Sequence, residues 1–262
     1  MDTDGGWDFT GRVALVTGGT KGIGARIAQA FLGAGARVVV CGRTTPRVLP
    51  AAGGRSAVFV AADVRDPAAA GALVAEAAER FGRLDALVNN AGGSPDADAA
   101  TVSPRFVEKI VALNLLAPFY VSQAAHRVMR AQESGGSIVN IGSVSAHDPQ
   151  PGTAAYSAAK AGLLNLTRAL ALEWAPMVRV NHITTGPVHT PDAAAVYGAG
   201  GAASVAGVIP MRRMAVPGDI ARACLFLASG LSGYVSGADL AVHGGGEFPA
   251  RYLAVKAADG AM

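Results

Sequence analysis

Cysteine is scarce: Cys41 and Cys224 are the only two among 262 residues. Each lies in an apolar run, so no disulfide framework is indicated and two buried free thiols are expected. Charge is thin as well, at 16% of residues, and the 22 Lys and Arg form no run of like sign. The usual electrostatic mark of a nucleic-acid partner is therefore missing. No stretch reaches the ~20 apolar residues that span a bilayer, so no membrane association is expected. The five histidines lack ligand spacing, and no metal is expected. Residues 1–10 are acidic and glycine-containing, without the basic and apolar regions of a secretory signal. They read as a flexible tail on a cytoplasmic protein.

What is abundant is apolar residue, at 51% of the chain, with a mild net charge of +3 and a pI near 9.1. That supports one large core in a single domain over residues 1–262, and a positive potential that favours a phosphate-rich small molecule. Short apolar runs predict strands over 12–17, 37–41, 57–61, 84–89, 137–141, 178–183 and 239–243. Helical periodicity predicts helices over 23–33, 67–81, 104–132, 154–174 and 218–229. Strictly alternating strands and helices imply an α/β fold, a doubly wound parallel sheet of the Rossmann-like kind with helices on both faces, binding ligands at the strand carboxyl ends. The small-residue stretch 190–206 interrupts the alternation and reads as a loop serving as a substrate lid.

Thr17-Gly18-Gly19-Thr20-Lys21-Gly22-Ile23-Gly24 joins the first strand to the first helix, where a glycine-rich turn lets backbone approach a pyrophosphate at a helix N-terminus. The bland reading is a tight turn that packs helix on strand. Arg43 follows the second strand, at the position where an acidic residue often grips the ribose of NAD. With Lys21 it suits a 2′-phosphate instead, hence NADP ahead of NAD, although both could be solvated surface cations. Asp63, with Val64 beside it, follows the third strand and could bond an adenine amino group. Asn89-Asn90-Ala91-Gly92 follows the fourth and makes a small-residue turn flush with the same ligand.

Tyr156 and Lys160 stand one helical turn apart, which puts an ammonium beside a phenol. A tyrosine with a pKa of about 10 is a poor acid near neutrality, and a neighbouring cation favours its phenolate. The same spacing also arises by chance on helix surfaces. Asn114 sits inside a strongly apolar helix, where an unpaired amide would be costly.

Taken together, TGGTKGIG, Asn89-Asn90-Ala91-Gly92, Asn114, Ser143 and Tyr156-x-x-x-Lys160 resemble the compact short-chain dehydrogenases/reductases, over about residues 10 to 247. The resemblance implies an NADP-preferring oxidoreductase that moves a hydride between nicotinamide and a carbonyl or secondary alcohol. Tyr156 would be the general acid or base, and Lys160 would tune it and hold the nicotinamide ribose. Ser143 would bond the substrate oxygen, with Ser145 as a nearby rival, and Asn114 would hold a water linking Lys160 to solvent or serve only as a structural amide. Cofactor contacts are implied at Gly18, Thr20, Lys21, Gly22, Ile23, Gly24, Arg43, Asp63, Val64, Asn90, Ala91, Gly92, Tyr156, Lys160, Gly186, Val188 and Thr190.

Three departures from the family pattern stand out: Gly142 where many relatives have a second serine, Thr185 in place of a proline before Gly186, and His243 where Asp is common. His243 reads as structural. Ser94, Pro95, Ala146, His147, Gln150, Tyr197 and Met211 would shape the substrate pocket. A homotetramer is implied by analogy, with a dimer as the other arrangement. A catalytically silent nucleotide sensor or scaffold of the same fold is the alternative, which a complete Asn114, Ser143, Tyr156 and Lys160 set disfavours. An epimerase or dehydratase would ordinarily carry a longer C-terminal region.

Overall fold

In a computed structural model, residues 7–190 and 200–258 are described. Residues 191–199, which include Tyr197 and most of the expected lid, lie outside them. Nine strands occur among the described residues: β1 Val13–Thr17, β2 Arg37–Gly42, β3 Ala51–Ala52, β4 Arg55–Ser56, β5 Val58–Ala61, β6 Ala86–Asn89, β7 Gly136–Ile141, β8 Val178–Thr185 and β9 Asp239–Val242. Seven of them form one parallel sheet in the order β5-β2-β1-β6-β7-β8-β9. Chain order reverses between β1 and β6, which opens the crevice at their carboxyl ends where ligands bind in such sheets.

The central strands are short, rich in β-branched residues and buried on both sides; every residue of Val13–Thr17 is buried. Helix α1 (Gly22–Gly33) packs on one face beside α7 (Pro217–Ala228), with Ile27, Phe31, Val38, Val40, Ile220 and Cys224 in a common core. Helices α2 (Pro67–Phe81), α4 (Ala117–Met129) and α5 (Ala154–Trp174) cover the other face through Leu73, Val121, Met129, Ile138 and Leu170. Both cysteines are buried and free, as expected. Burial pushes the Cys41 thiol up to about 11 and the Cys224 thiol higher still, so neither is ionised near neutrality.

A buried polar chain stitches the second face together. Asn89 Nδ2 donates to Ser122 Oγ and to Asn140 Oδ1, each at 2.8 Å; Asn140 Nδ2 donates to Thr167 Oγ1 at 2.9 Å, whose hydroxyl donates to Leu163 O at 2.8 Å. One connected set of amides and hydroxyls thus links β6 and β7 to α4 and α5 inside an apolar layer, where unmade bonds would be costly.

Three expectations need correction, and two elements were not anticipated. The helix predicted over 104–132 is three pieces: α3 (Pro104–Val111), a π-helical turn Ala112–Leu116, and α4. Pro118 has no N–H for the carbonyl of Asn114 and its ring crowds that carbonyl. The ladder widens there, and Ala117 donates instead to Ala112 O. The loop read over 190–206 contains helical backbone from α6 (Gly201–Val208), whose small residues carry weak periodicity. The tail read over 1–10 ends sooner, because Phe9 is buried edge-on against Phe31 at 5.0 Å between centroids and its N–H donates to Ala34 O at 2.8 Å. The β3–β4 hairpin turns on Gly53 and Gly54, both at positive φ, with only two residues per strand, too few for a periodic signal. Finally, α8 (Ala250–Ala258) extends past the last strand: Phe248 stacks on Tyr252 at 5.3 Å and its N–H donates to Val208 O at 2.8 Å.

Replacing Asn140 by Ala removes the middle of the polar chain. Asn140→Ala is expected to lower the urea-unfolding free energy by about 2–3 kcal/mol, with an unchanged m-value, through the stranded Asn89 and Thr167 groups.

Candidate active site

The glycine-rich turn after β1 and the turn after β6 meet side to side. Asn90 Nδ2 donates to Thr17 O and Gly18 O at 3.0 and 3.1 Å, while the Asn90 and Ala91 amides both donate to Thr17 Oγ1 at 3.0 Å. Gly18 adopts φ +61° with Ala91 Cα 3.0 Å from where a Cβ would stand, and a Cβ on Gly24 would lie 2.3 Å from Gly18 O. Only glycine permits this approach at both places. Asn90, expected to touch the cofactor, has its side-chain amide turned onto the glycine-rich turn itself.

These turns floor a cleft of about 490 Å³, bordered by Gly18, Thr20, Lys21, Gly22, Ile23, Gly24, Arg43, Asp63, Val64, Asn90, Ala91, Gly92 and Thr190. All thirteen were read from the sequence. Cys41, Gly42, Ala62, Arg65 and Leu113 also line it and were missed. Arg65 had a legible signal, since an Asp and an Arg two apart after a strand can close on each other: Arg65 Nε donates to Asp63 Oδ1 at 2.9 Å and its backbone N–H to the same oxygen at 3.1 Å. The Arg65 side-chain bonds, aided by its charge and that of Arg43, hold the Asp63 carboxyl below the usual range against the opposing effect of burial. Lys21, Arg43 and Arg65 line the same cleft as the Asp63 carboxylate, an excess of positive charge.

The residues fit a dinucleotide. Lys21 at the N-cap of α1 provides no side-chain cap, which leaves first-turn amides of a 12-residue helix for an anion, and a Cβ on Gly22 would meet open space.

Beyond the cleft floor, Lys160 is buried in α5 with Nζ donating to Ile141 O at 2.7 Å. Its ammonium lies 5.6 Å from the centroid of the Tyr156 ring. Burial lowers the Lys160 pKa to about 8. Ser143, two residues past Ile141, is also buried; its Oγ accepts from Ser145 N at 3.1 Å and donates to Ser145 Oγ at 3.2 Å. Asn114 sits in the π turn with no exposed surface, Nδ2 donating to Ile110 O and Gly93 O at 2.9 and 3.0 Å, and Oδ1 accepting from Gly93 N at 2.9 Å. A Cβ on Gly92 would stand 2.9 Å from Asn114 Oδ1 and 3.3 Å from Lys160 Nζ, so only glycine fits between them.

Thr190 reaches the cleft, whereas Gly186 and Val188 lie off its lining. Gly186 packs against His243, with its N–H donating to Val242 O at 3.2 Å, and Val188 bridges to Ala215. Thr185, in place of the proline, steadies this loop by donating from Oγ1 to Gly142 O at 2.8 Å. Ser94 lines a smaller cavity of about 240 Å³ beside Tyr156, with Val102 and Phe106. Met211, expected in the substrate wall, instead borders a separate cavity with Arg213 and His243. His147, expected in the same wall, is tied to Asp239 at 2.9 Å.

The sheet crevice, the cationic cleft and the buried Lys beside a Tyr define a dinucleotide-binding oxidoreductase. A family model described as enoyl-(acyl carrier protein) reductase matches residues 18–247, and the chain belongs to the short-chain dehydrogenase/reductase family. It is 38% identical over 244 residues to cis-4-hydroxycyclohexanecarboxylate dehydrogenase of Sinomonas cyclohexanicum, covering 90% of this chain and 97% of that one. It is 37% identical over 241 residues to 3alpha-hydroxysteroid dehydrogenase of Mediterraneibacter gnavus, covering 89% and 96%. Among solved structures, the aldohexose dehydrogenase of Thermoplasma acidophilum superposes with a TM-score of 0.84 at 29% identity, covering 90% of this chain and 94% of that one.

The lowered Lys160 value has a consequence for stability. The unfolded chain keeps the ordinary lysine value of 10.5 while the folded chain releases its proton near 8, so between those limits the unfolded state binds more protons and stability rises with pH. Below the window both states are protonated and the burial penalty is present in full. Unfolding measured at several pH values from about 7 to 10 should show this rise in the parent relative to Lys160→Met; a difference that stays flat with pH would contradict it.

Proposed function

We propose that the protein is an NADP-preferring oxidoreductase acting on a carbonyl or secondary alcohol, with Tyr156 as general acid or base. The observation that carries this reading is the buried Lys160 ammonium, held by Ile141 O at 2.7 Å and 5.6 Å from the Tyr156 ring. A cation fixed in a low-dielectric setting stabilises the phenolate that forms when Tyr156 gives up its proton. Ser143, buried within the same end of the sheet, orients the reacting oxygen by hydrogen bonding. Asn114 and Lys160 meet at Gly92, which suits a proton path from Lys160 past Asn114, in addition to the structural bonds that Asn114 makes.

A bound nicotinamide dinucleotide would supply or accept the hydride. The chain's part is to bind and orient it: Gly18 to Gly24 form a backbone cradle for the pyrophosphate, Arg43 and Lys21 bind a 2′-phosphate, and Asp63 and Val64 border the adenine. Tyr156 and Lys160 hold the nicotinamide ribose, while Thr190, which borders the cleft, takes the carboxamide side, with Gly186 and Val188 behind it off the lining. The dehydrogenases of hydroxycyclohexanecarboxylate and hydroxysteroid among the relatives favour a cyclic secondary alcohol or its ketone, and the small apolar cavity beside Tyr156 agrees. We also place the protein in the cytoplasm, as one domain with a lid over residues 190–206. It would form a homotetramer through the outer faces of α4 and α5, where Leu172 is 84% exposed, and through the edge strand β9.

Tyr156→Phe should fold and bind NADPH while losing about 10²–10⁴ of its turnover on a panel of cyclic ketones, alcohols and enoyl thioesters; retained turnover would refute the acid role. For the cofactor, NADPH and NADH binding are compared in the parent and Arg43→Asp. A preference for NADPH of ~10-fold or more in the parent should collapse in the variant, and an unchanged ratio would rule out the 2′-phosphate contact.

A further inference from the structure

Apart from the cleft, the described residues bring His147, His182 and Asp239 together near the carboxyl end of the sheet. Asp239 pairs in register with His182 across β9 and β8. Its Oδ1 accepts from His182 Nδ1 at 2.8 Å and from Thr184 Oγ1 at 2.7 Å, and its Oδ2 from His147 Nε2 at 2.9 Å. Burial pushes the Asp239 carboxyl up, but the hydrogen bonds from His182, Thr184 and His147 together carry it well below the usual range. An ionised acceptor fixes the proton of His182 on Nδ1 and locks the ring plane.

The His182 ring is fully buried, and its Nε2 has no hydrogen-bond partner among the described residues. It occupies the space beside Gly142: a Cβ there would lie 2.0 Å from both Cε1 and Nε2 of the ring. Gly142 is not among the residues at positive φ, so the ring, and not the backbone conformation, requires glycine. Gly142 directly precedes Ser143. Its N–H donates to Ile183 O and its carbonyl accepts from Thr185 Oγ1, both at 2.8 Å. From Ser143 the 3₁₀ turn Val144–Ala146 leads to His147, which returns to Asp239.

We infer that His182, clamped by Asp239, is a positioning residue: its imidazole is a wedge against Gly142 that, with His147 strapping the far end of the turn, sets where the Ser143 hydroxyl stands. The packing is independent of the proposed function; the consequence for turnover rests on the role given there to Ser143. Gly142, where many relatives have a serine, is then the partner of His182: the missing side chain leaves the space that the ring fills.

Four full-length proteins test this: the parent, Gly142→Ala, His182→Ala and the double variant, each followed by thermal unfolding and by turnover of the cyclic diketone 1,2-cyclohexanedione with NADPH. Gly142→Ala is expected to lower Tm by about 5 °C, as overpacking does. It should cut kcat roughly ten- to a hundredfold through a displaced hydroxyl, with the KM for NADPH unchanged. Adding His182→Ala should restore most of both losses, a strong non-additivity. Additive losses would overturn the wedge, and recovery of Tm without kcat would overturn the positioning role. Should the parent fail to reduce the diketone, the reductase reading is what suffers, and the same cycle in Tm still decides whether His182 and Gly142 are coupled.

Discussion

The bond from Lys160 Nζ to Ile141 O is the point on which the site hangs. An ammonium buried in an apolar layer needs a fixed acceptor, and a backbone carbonyl at the end of a central strand is among the stiffest available. That single bond anchors α5 on β7, with Tyr156 one turn earlier in the same helix. The cost of burial appears as the fall of the lysine to about 8. Structural needs alone would be met by an apolar side chain, which favours the proposed role of Lys160 beside Tyr156.

Around this anchor the fold uses backbone contact where side chains would obstruct. Gly18 and Gly24 let the first and fourth turns close on each other, and Gly92 leaves room between Asn114 and Lys160. The π turn performs a related service. Pro118 disrupts the helical ladder, and the widened turn holds Asn114 fully buried with its amide bonded to Gly93 and Ile110. A local irregularity thereby becomes a reliable link between α3, α4 and the loop after β6.

The departures from the family pattern also acquire reasons in three dimensions. Thr185 ties its loop to Gly142 by a hydroxyl bond, a different means of restraint from proline. His182 fills the volume that Gly142 leaves. Gly142 is noticeable along the chain but its partner is not, because their proximity arises only from the register that sets Asn140 opposite His182.

Much was determined by the sequence itself. Alternating apolar runs specify the order of strands and helices, because burial on both faces of a parallel sheet demands continuous hydrophobic strands. The span Pro67–Phe81 is legible to the residue, from its proline start, Asp66 cap and Gly82 stop. The glycine turn and the Tyr156–Lys160 spacing mark the site because they are local, one within a single turn and the other within one helical turn. What only tertiary structure decided is what depends on residues far apart in the chain. Met211 is carried to another cavity, and His147 is drawn from the expected substrate wall by Asp239, 92 residues away. Hydrogen-bond partners and shared volumes of this kind leave no periodic trace, since they are fixed by how the sheet stacks its strands and not by any neighbour in sequence.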